Sequence, residues 1–334
     1  MTTNTEFSSL LRLAAMADYS RAFAVGAAAS LRLADAFCET RSVDVVAAER
    51  GLDARTLRRL LRALVAFGLF TEPEPGTFAT LPAARLLLDA HPWSLRGAYS
   101  PLHADVRAWA RIGHSLRSGS SAFELTHGES FWKYLSKHPS ERALFDRSME
   151  ELSRLESLWL PGAYDWPRFQ SIVDVGGGRG STLVALLRAF PAIRGVLFEL
   201  PTVAEQARSL IAAAGLSERC TVEDGDFFLR VPEGHDAYIL KRIIYSYDDP
   251  EALRILQQVR SAMRDDSRVL LLEPVRRRSS GFDYGKLLDM QMLMLGGGRV
   301  RDRKALRELL AAARLRLGRL IPTAMTTIVE AMPE

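Results

Sequence analysis

The apolar positions change period about halfway along this chain. From Phe7 to about Leu88 they recur at helical spacing, with few strand-like alternations. Residues 43–50, VDVVAAER, predict a short helix. Gly51-Leu52-Asp53 then predicts a turn in which Asp53 caps a second helix, ARTLRRLLRALVAFG, ended by Gly68. LFTEPEPGTFATLP predicts two short strands around Pro75-Gly76. Helix, turn, helix and hairpin make a winged-helix pattern. Such a pattern serves DNA-binding regulators, and Arg55, Arg58, Arg59 and Arg62 fall on the would-be recognition helix. The wing, however, carries Glu72 and Glu74, which repel phosphates. The arginines also alternate with Leu57, Leu60, Leu61 and Leu64, as on an ordinary solvated helix face. A folded interaction module is the favoured reading.

A second helical block runs from WSLRGAYSPLHADVRAWARIGHSLRSG through FELTHGESFWKYLSKHPSERALFDRSMEELSRLESLWL. His127-Gly128 reads as a loop. Pro139-Ser140-Glu141 starts a helix with Phe145, Met149 and Leu152 on one face, either as core or as part of a ligand pocket.

Near PGAYDWPRFQ (161–170) the helical pattern breaks, and an α/β pattern follows. SIVDVG, GVLFEL, TVEDGDFF, AYILKRII and SRVLLLEPV read as five strands. STLVALLRAF, opened by Ser181, and the helix that Asp249-Pro250-Glu251 opens alternate with them. Strands alternating with helices predict a parallel, doubly wound sheet with its ligand site at the strand C-terminal ends. The expected organisation is a winged-helix-like segment 1–95, linking and lid helices 96–160, and an α/β domain 161–334.

Composition narrows this picture little. A chain of 334 residues, 48% hydrophobic and 25% charged, suits two globular domains. The net charge of +4 is scattered over arginines among nearly as many acids, so no dedicated nucleic-acid surface is implied. Cys38 and Cys220 are far apart on apolar segments and read as reduced, buried thiols. No CxxC or Cys/His cluster suggests a metal. The N-terminus lacks a basic region followed by a clean apolar run, and no apolar stretch reaches membrane-spanning length, so a cytoplasmic location is expected.

The chemistry lies in the second half. DVGGGRG (174–180) sits between a strand and a helix, where backbone N–H groups approach a polar ligand closely. It fails the dinucleotide G-x-G-x-x-G spacing from either Gly176 or Gly178. Glu199, at the end of the next strand, is placed to grip ribose hydroxyls, as both NAD and adenosyl ligands require. Asp226 and Phe227 suit adenine, one by hydrogen bonding and the other by stacking.

DVGGGRG, FELP, GDFF, LKRIIYSYDD and GGGRVRD resemble, in order and spacing, the S-adenosylmethionine-dependent small-molecule O-methyltransferases. The likeness is greatest to the bacterial branch acting on polyketides and phenazines, and it covers nearly the whole chain. It implies a Rossmann-like methyltransferase domain and an N-terminal domain that builds a homodimer in place of a DNA-binding module. By the same resemblance, Gly176 and Gly178 hold the methionine end of the cofactor, Glu199 the ribose, and Asp226 and Phe227 the adenine. Lys241 falls on a cofactor contact, and Met149 and Ser153 on the helix that covers the cofactor.

One position departs from the pattern. The family has a histidine base four residues after the lysine; here that position is Tyr245. Of the two acids that orient the histidine, Glu273 is kept and the other falls on Val300. Tyrosine, with an ordinary pKa near ~10, is a poor base at neutral pH. Three readings stay open. The acceptor arrives already ionised and is only positioned, as an acidic hydroxyphenazine, its N-oxide or an aromatic polyketide would be. Another group serves as base, such as Glu273, His103, His114 or His127. Or O-methylation has given way to N-methylation, hydroxylation or decarboxylation. A flat ring suits a pocket edged by Trp109, Phe145, Met290, Met292 and Met294.

Overall fold

The computed structural model describes residues 4–100, 102–278, 280–323 and 325–334. By packing, the chain divides into two units. The first takes the residues up to His103 with Pro139–Leu152; the second takes Ala104–His138 with Ser153–Glu334. Residues 96–160, expected as one linking segment, are thus shared between the units. The long helix Pro139–Ser157 itself contributes to both.

In the first unit, helices Val43–Arg50 and Ala54–Ala66 form where the apolar spacing places them. Asp53 accepts a hydrogen bond from the Thr56 N–H at 2.7 Å and so satisfies one of the open donors of the helix start. Leu57, Leu61 and Leu64 bury the inner face of Ala54–Ala66. They join a core with Phe37, Phe70 and Phe78, whose rings meet edge to face at 6.2–6.3 Å. The hairpin strands β2 (Phe70–Thr71) and β3 (Thr77–Thr80) pair as expected, and a further strand, β1 (Arg41–Ser42), joins β3 on its other edge. Arg58 bonds Asp44 at 3.1 Å, and Arg62 grips Glu72 with two bonds of 2.9 Å. Arg62 holds the Glu72 carboxyl down to about 2. Two arginines of the would-be recognition helix are therefore neutralised within the unit. Helix Asn4–Ala17 presents Phe7, Leu10, Leu11, Leu13 and Met16 to solvent, each more than half exposed. Cys38 is exposed, contrary to expectation, while Cys220 is buried.

The second unit is built on a seven-stranded sheet in the order β6-β5-β4-β7-β8-β10-β9. The five expected strands are β4 (Ser171–Val175), β5 (Arg194–Glu199), β6 (Cys220–Asp224), β7 (Ala237–Lys241) and β8 (Arg268–Glu273), all parallel. Both sheet faces are covered, which is why these strands read as continuous apolar runs. Val173, Val175, Phe198, Leu240 and Leu271 pack on one face with helix Asp249–Ala262; Ile172, Leu197, Ile239 and Leu270 pack on the other with helix Ser181–Ala189. Strand order reverses around β4, so the crevice for a ligand opens at the ends of β4 and β7.

Several details differ from the sequence reading. β7 stops at Lys241 because Arg242 takes a left-handed conformation (φ 58°), and Ile244–Ser246 forms a short 3-10 turn. Asp248, not Asp249, caps helix Asp249–Ala262, accepting the Glu251 N–H at 3.0 Å. His127 ends helix Ala122–His127 rather than lying in a loop. A final hairpin, β9 (Leu315–Pro322) and β10 (Thr327–Pro333), adds antiparallel strands beside β8. The methionine strip is a helix, Tyr284–Leu295, on which Met290 and Met294 share a face and Met292 lies across from them; Met292 and Met294 are buried and Met290 is 39% exposed. No helix among the described residues is long and apolar enough to cross a membrane.

Leu61→Ala should open a cavity among Phe37, Phe70 and Phe78. Denaturant unfolding is expected to show a loss of about 2–5 kcal/mol for the transition of the first unit.

Candidate active site

The glycine loop leaves β4 over a buried acid. Asp174 is fully buried, and neither carboxylate oxygen has a partner among the described residues. Burial raises its carboxyl to about 7; the charge of Lys241 opposes that rise and Glu199 adds to it. A side chain at Gly177 would strike this carboxylate at 2.7 Å, so the loop lies directly on it. Gly178 instead has φ 59° and nothing within 4 Å of where a side chain would begin. It is the open side of the loop.

The ends of β5 and β6 bring the expected ligand residues beside this loop. Glu199 accepts the Leu200 N–H, and its own carbonyl takes the Gly225 N–H at 2.9 Å, tying the two strand ends together. One oxygen of Asp226 takes the Phe228 N–H at 2.8 Å. A side chain at Gly176 would meet Ile243 at 2.8 Å and Phe227 at 3.3 Å, so these three are neighbours. Tyr247 completes the group. Its ring meets Phe227 and Phe228 edge to face at 6.1 and 5.3 Å, and its hydroxyl is pushed up to about 12 by burial and by Glu251, Asp226 and Glu199. The sequence reading missed Asp174 and Tyr247. The signal for Asp174 was a lone acid in the otherwise apolar strand SIVDV.

Lys241 and Ser153 are brought together, but with each other. The ammonium donates to the Ser153 hydroxyl (2.6 Å) and carbonyl (3.1 Å) and to Thr182 Oγ1 (3.3 Å), and it lies 3.2 Å from Glu156. The Ser153 hydroxyl also meets that of Ser181 at 3.0 Å. Lys241 therefore anchors the last turn of helix Pro139–Ser157 from below rather than offering a free charge. Burial lowers its pKa. Met149 and Phe145 lie on the part of that helix belonging to the first unit and are half-buried. Trp109 is 38% exposed, and the fully buried Met294 is a core side chain rather than a pocket wall.

Glu273 holds the turn that carries Tyr245. Its carboxylate accepts the N–H groups of Ile243 (3.0 Å), Ile244 (2.9 Å) and Tyr245 (3.1 Å). From the other side Arg301, itself buried, donates to the carbonyls of Ile244 (2.9 Å) and Tyr247 (3.0 Å) and pairs with Asp249 at 2.7 Å. Gly298 packs against the Tyr245 carbonyl, leaving a side chain there no room. Burial lifts Glu273 to about 7, against the pull of those N–H donors and Arg301. Such a pKa would suit a general base, but geometry decides first, and both oxygens face backbone donors. Glu273, expected beside the chemistry, is thus also the carboxylate that holds this turn.

Tyr245 is buried, and burial raises its pKa further; Arg242 opposes that rise and Glu273 supports it. It remains a phenol at neutral pH and no base. Val300 is buried, and its N–H goes to Asp289 at 2.9 Å. His127 is committed to the Ala104 carbonyl (3.1 Å) between the rings of Phe123 and Tyr134, and His114 to Ser118 (3.2 Å).

A doubly wound sheet of this order, with a glycine loop on its first strand and acids at the ends of the next two, defines a methyltransferase domain of the nucleotide-cofactor-binding kind. Residues 109–316 match the model of the O-methyltransferase domain and residues 14–90 that of the O-methyltransferase dimerisation domain. The chain is 37% identical to the phenazine O-methyltransferase PhzM of Lysobacter antibioticus over 310 residues, 92% of this chain and 91% of that one. Its fold matches the crystal structure of LaPhzM with a TM-score of 0.92 at 36% identity, over 98% and 99% of the two chains. It also matches NcsB1 from neocarzinostatin biosynthesis, solved with S-adenosylmethionine and 2-hydroxy-5-methyl naphthoic acid, with a TM-score of 0.81 at 33% identity over 96% and 98%. The chain belongs to this family and is an S-adenosylmethionine-dependent O-methyltransferase. The residues present fit that cofactor: an open glycine loop at Gly178, an orphaned buried carboxylate at Asp174, and acids at Glu199 and Asp226 around an aromatic floor. Among the described residues no cluster of His, Cys, Asp and Glu is arranged to hold a metal.

Two outcomes follow from these geometries. Glu273→Gln turns an amide donor toward one of three N–H groups and should lower stability by about 1–3 kcal/mol in denaturant unfolding. Asp174→Asn should change the pH dependence of the cofactor-free protein. Because the folded pKa is raised from 3.8 to about 7, the folded state holds the proton longer than the unfolded chain. The acid's stabilising contribution is therefore full below about pH 4 and is lost as pH rises toward 7, with a slope of at most roughly 1.4 kcal/mol per pH unit. Unfolding measured from pH 4 to 8 should show a flatter decline in the variant.

Proposed function

We propose that this enzyme methylates an acidic hydroxyl of a planar polycyclic aromatic natural product, with hydroxyphenazines and their N-oxides first and aromatic polyketides next. The observation that carries the reading is the site of the missing histidine. Tyr245 is a buried phenol there, and the one acid retained nearby, Glu273, is committed to backbone N–H groups. An enzyme so built accepts an oxygen that arrives ionised. The names of its relatives, a phenazine O-methyltransferase and a naphthoate-binding enzyme, support an aromatic acceptor.

In this reading the backbone of Gly176–Gly178 holds the methionine end of the cofactor. Glu199 takes the ribose hydroxyls, and Asp226 with Phe227 takes the adenine. Lys241 and Ser153 act indirectly, by fixing the helix end beside Ser181. The bound cofactor supplies an electrophilic methyl group on a sulfonium. The chain's own task is then to orient the acceptor and exclude water, which converts a bimolecular encounter into an aligned one. Trp109 and Met290, both partly exposed, are the acceptor-facing residues retained from the sequence expectation.

The first unit is proposed to form a homodimer through the exposed apolar face of Asn4–Ala17, with Tyr19 and Phe23 continuing it. The pairing of Arg58 and Arg62 with acids disfavours DNA as its partner. The whole is read as a cytoplasmic protein.

Calorimetry should show S-adenosylmethionine binding that Asp226→Ala weakens at least roughly tenfold, as expected for a lost hydrogen bond to a buried ligand. Incubation with a panel of hydroxyphenazines and naphthols should give an O-methylated product. NADH binding without methyl-donor binding, or methylation at nitrogen only, counts against the reading. Sedimentation should give twice the chain mass of 37.1 kDa.

A further inference from the structure

We infer that Arg301 is a positioning residue for cofactor binding. It holds the turn Ile243–Tyr247 where Ile243 and Tyr247 flank Phe227 beside the glycine loop. The inference rests on the proposed placement of S-adenosylmethionine at that loop, and it adds a residue that acts through the turn.

Arg301 lies between the methionine helix and helix Arg303–Ala312, and its side chain is 2% exposed. Nη1 donates to the Ile244 carbonyl at 2.9 Å and Nη2 to the Tyr247 carbonyl at 3.0 Å. Nε and Nη2 also reach Asp249 Oδ1, at 2.9 and 2.7 Å. Arg299 pairs with the other oxygen of Asp249 at 2.9 Å. Asp249 stands in the first turn of helix Asp249–Ala262. One planar fork thus joins two carbonyls of the turn to the start of the next helix. An ammonium is a point charge on a flexible stem and cannot hold three acceptors in such fixed directions. Pairing with Asp249 alone would need only charge; the two backbone carbonyls need geometry.

The turn matters because of what it touches. Gly176 has φ 67°, and a side chain there would meet Ile243 Cδ1 at 2.8 Å and Phe227 Cε1 at 3.3 Å. Ile243 therefore lies against the backbone of the glycine loop. Further along the turn, the Tyr247 ring meets Phe227 and Phe228 edge to face at 6.1 and 5.3 Å. Ile243 and Tyr247 thus set the place of Phe227 between them. Glu273 holds Ile243, Ile244 and Tyr245 by their N–H groups, and Arg301 bonds the Tyr247 end by its carbonyl. The segment that carries Arg301 is itself fixed. The Val300 N–H bonds Asp289 of the methionine helix at 2.9 Å. A side chain at Gly298 would meet the Tyr245 carbonyl at 2.6 Å and Met292 Sδ at 2.9 Å. With the turn set before binding, a cofactor does not have to order Ile243 and Tyr247 itself. Side chains that must be ordered anew on binding lower affinity, and two of them cost roughly tenfold.

Binding of S-adenosylhomocysteine to the full-length protein should be measured by calorimetry, well below any unfolding transition. Arg301→Gln is expected to weaken it at least roughly tenfold. Arg301→Lys, which keeps a cation beside Asp249 but loses the fork, should lose less. Gly298→Ala displaces the same turn without changing a charge and should also weaken binding roughly tenfold. Leu187→Ala is the control, since it empties core space on the opposite face of the sheet from Ile244 and Tyr247. It should lose stability and yet bind within about twofold of the wild type. A merely structural Arg301 would behave like that control. Affinity within about twofold of the wild type in Arg301→Gln, or a loss no greater than that of Leu187→Ala, would overturn the inference. If Arg301→Gln does not fold, Gly298→Ala decides by the same two criteria. Asp226→Ala tests the placement of the cofactor separately. If it binds like the wild type while Arg301→Gln does not, the inference stands and the placement of adenine on Asp226 fails. The reverse result leaves that placement standing and removes Arg301 from it.

Discussion

The carboxylate of Glu273 organises the site more than any other single group. By collecting the N–H groups of Ile243, Ile244 and Tyr245 it ends β7, makes the 3-10 turn and brings Tyr245 and Tyr247 to the crevice. Each of those N–H groups would otherwise be buried without a partner, a loss comparable to that of a whole hydrogen bond. Arg301 answers with the carbonyls of the same turn, so five backbone groups depend on two side chains. The two sit on different elements, one ending β8 and the other following the methionine helix. The geometry at Tyr245 is thus a property of the whole second unit.

Below this turn the charges are nearly all paired, and the exception is informative. Glu156 serves Lys241 and Arg242 together; burial tends to raise its pKa, and Arg242 and Lys241 outweigh that and hold it below the usual value. Asp174 has no such partner among the described residues, although Lys241 lies in its field. A fold tolerates an orphaned buried carboxylate only at some loss of stability. Here it lies directly under the loop whose open face is at Gly178. The strained Arg242 and Asp174 both lie near the C-terminal ends of the parallel strands, where ligand sites, strain and unmet polar groups tend to collect.

Much of this architecture was legible in the sequence. Buried parallel strands declare themselves as apolar runs, and the cap at Asp53 follows from local hydrogen bonding. The glycine loop between β4 and its helix was legible because glycine spacing reports backbone shape directly. What was not legible depends on partners distant in sequence. Nothing in LLLEPV distinguishes a glutamate that takes backbone N–H groups from one that takes a proton. Lys241 is one residue in a strand, and only the fold shows that Ser153, Thr182 and Glu156 absorb its charge. The last hairpin was hidden because β9, an edge strand, alternates arginines with apolar residues and continues a helical run in AAARLRLGRL. The methionines, read as one pocket edge, lie on a helix, where Met292 falls across from Met290 and Met294.

The absence of the histidine and the absence of its second acid are physically one change. A base that takes a proton as a cation needs an anion to hold it, and an orienting acid with no cation to serve would be a buried charge without a partner. Replacing the histidine by Tyr245 removes the cation; placing Val300 where the second acid would fall removes the anion; and Glu273 survives because the backbone of the turn still needs it. The carboxylates at this turn are already engaged, Glu273 by its backbone N–H groups and Glu156 by Arg242 and Lys241. On the proposed reading a neutral hydroxyl finds neither of these carboxylates free to take its proton. The acidity of the acceptor then does the work that the histidine does elsewhere, and substrate choice and mechanism become the same property of the site.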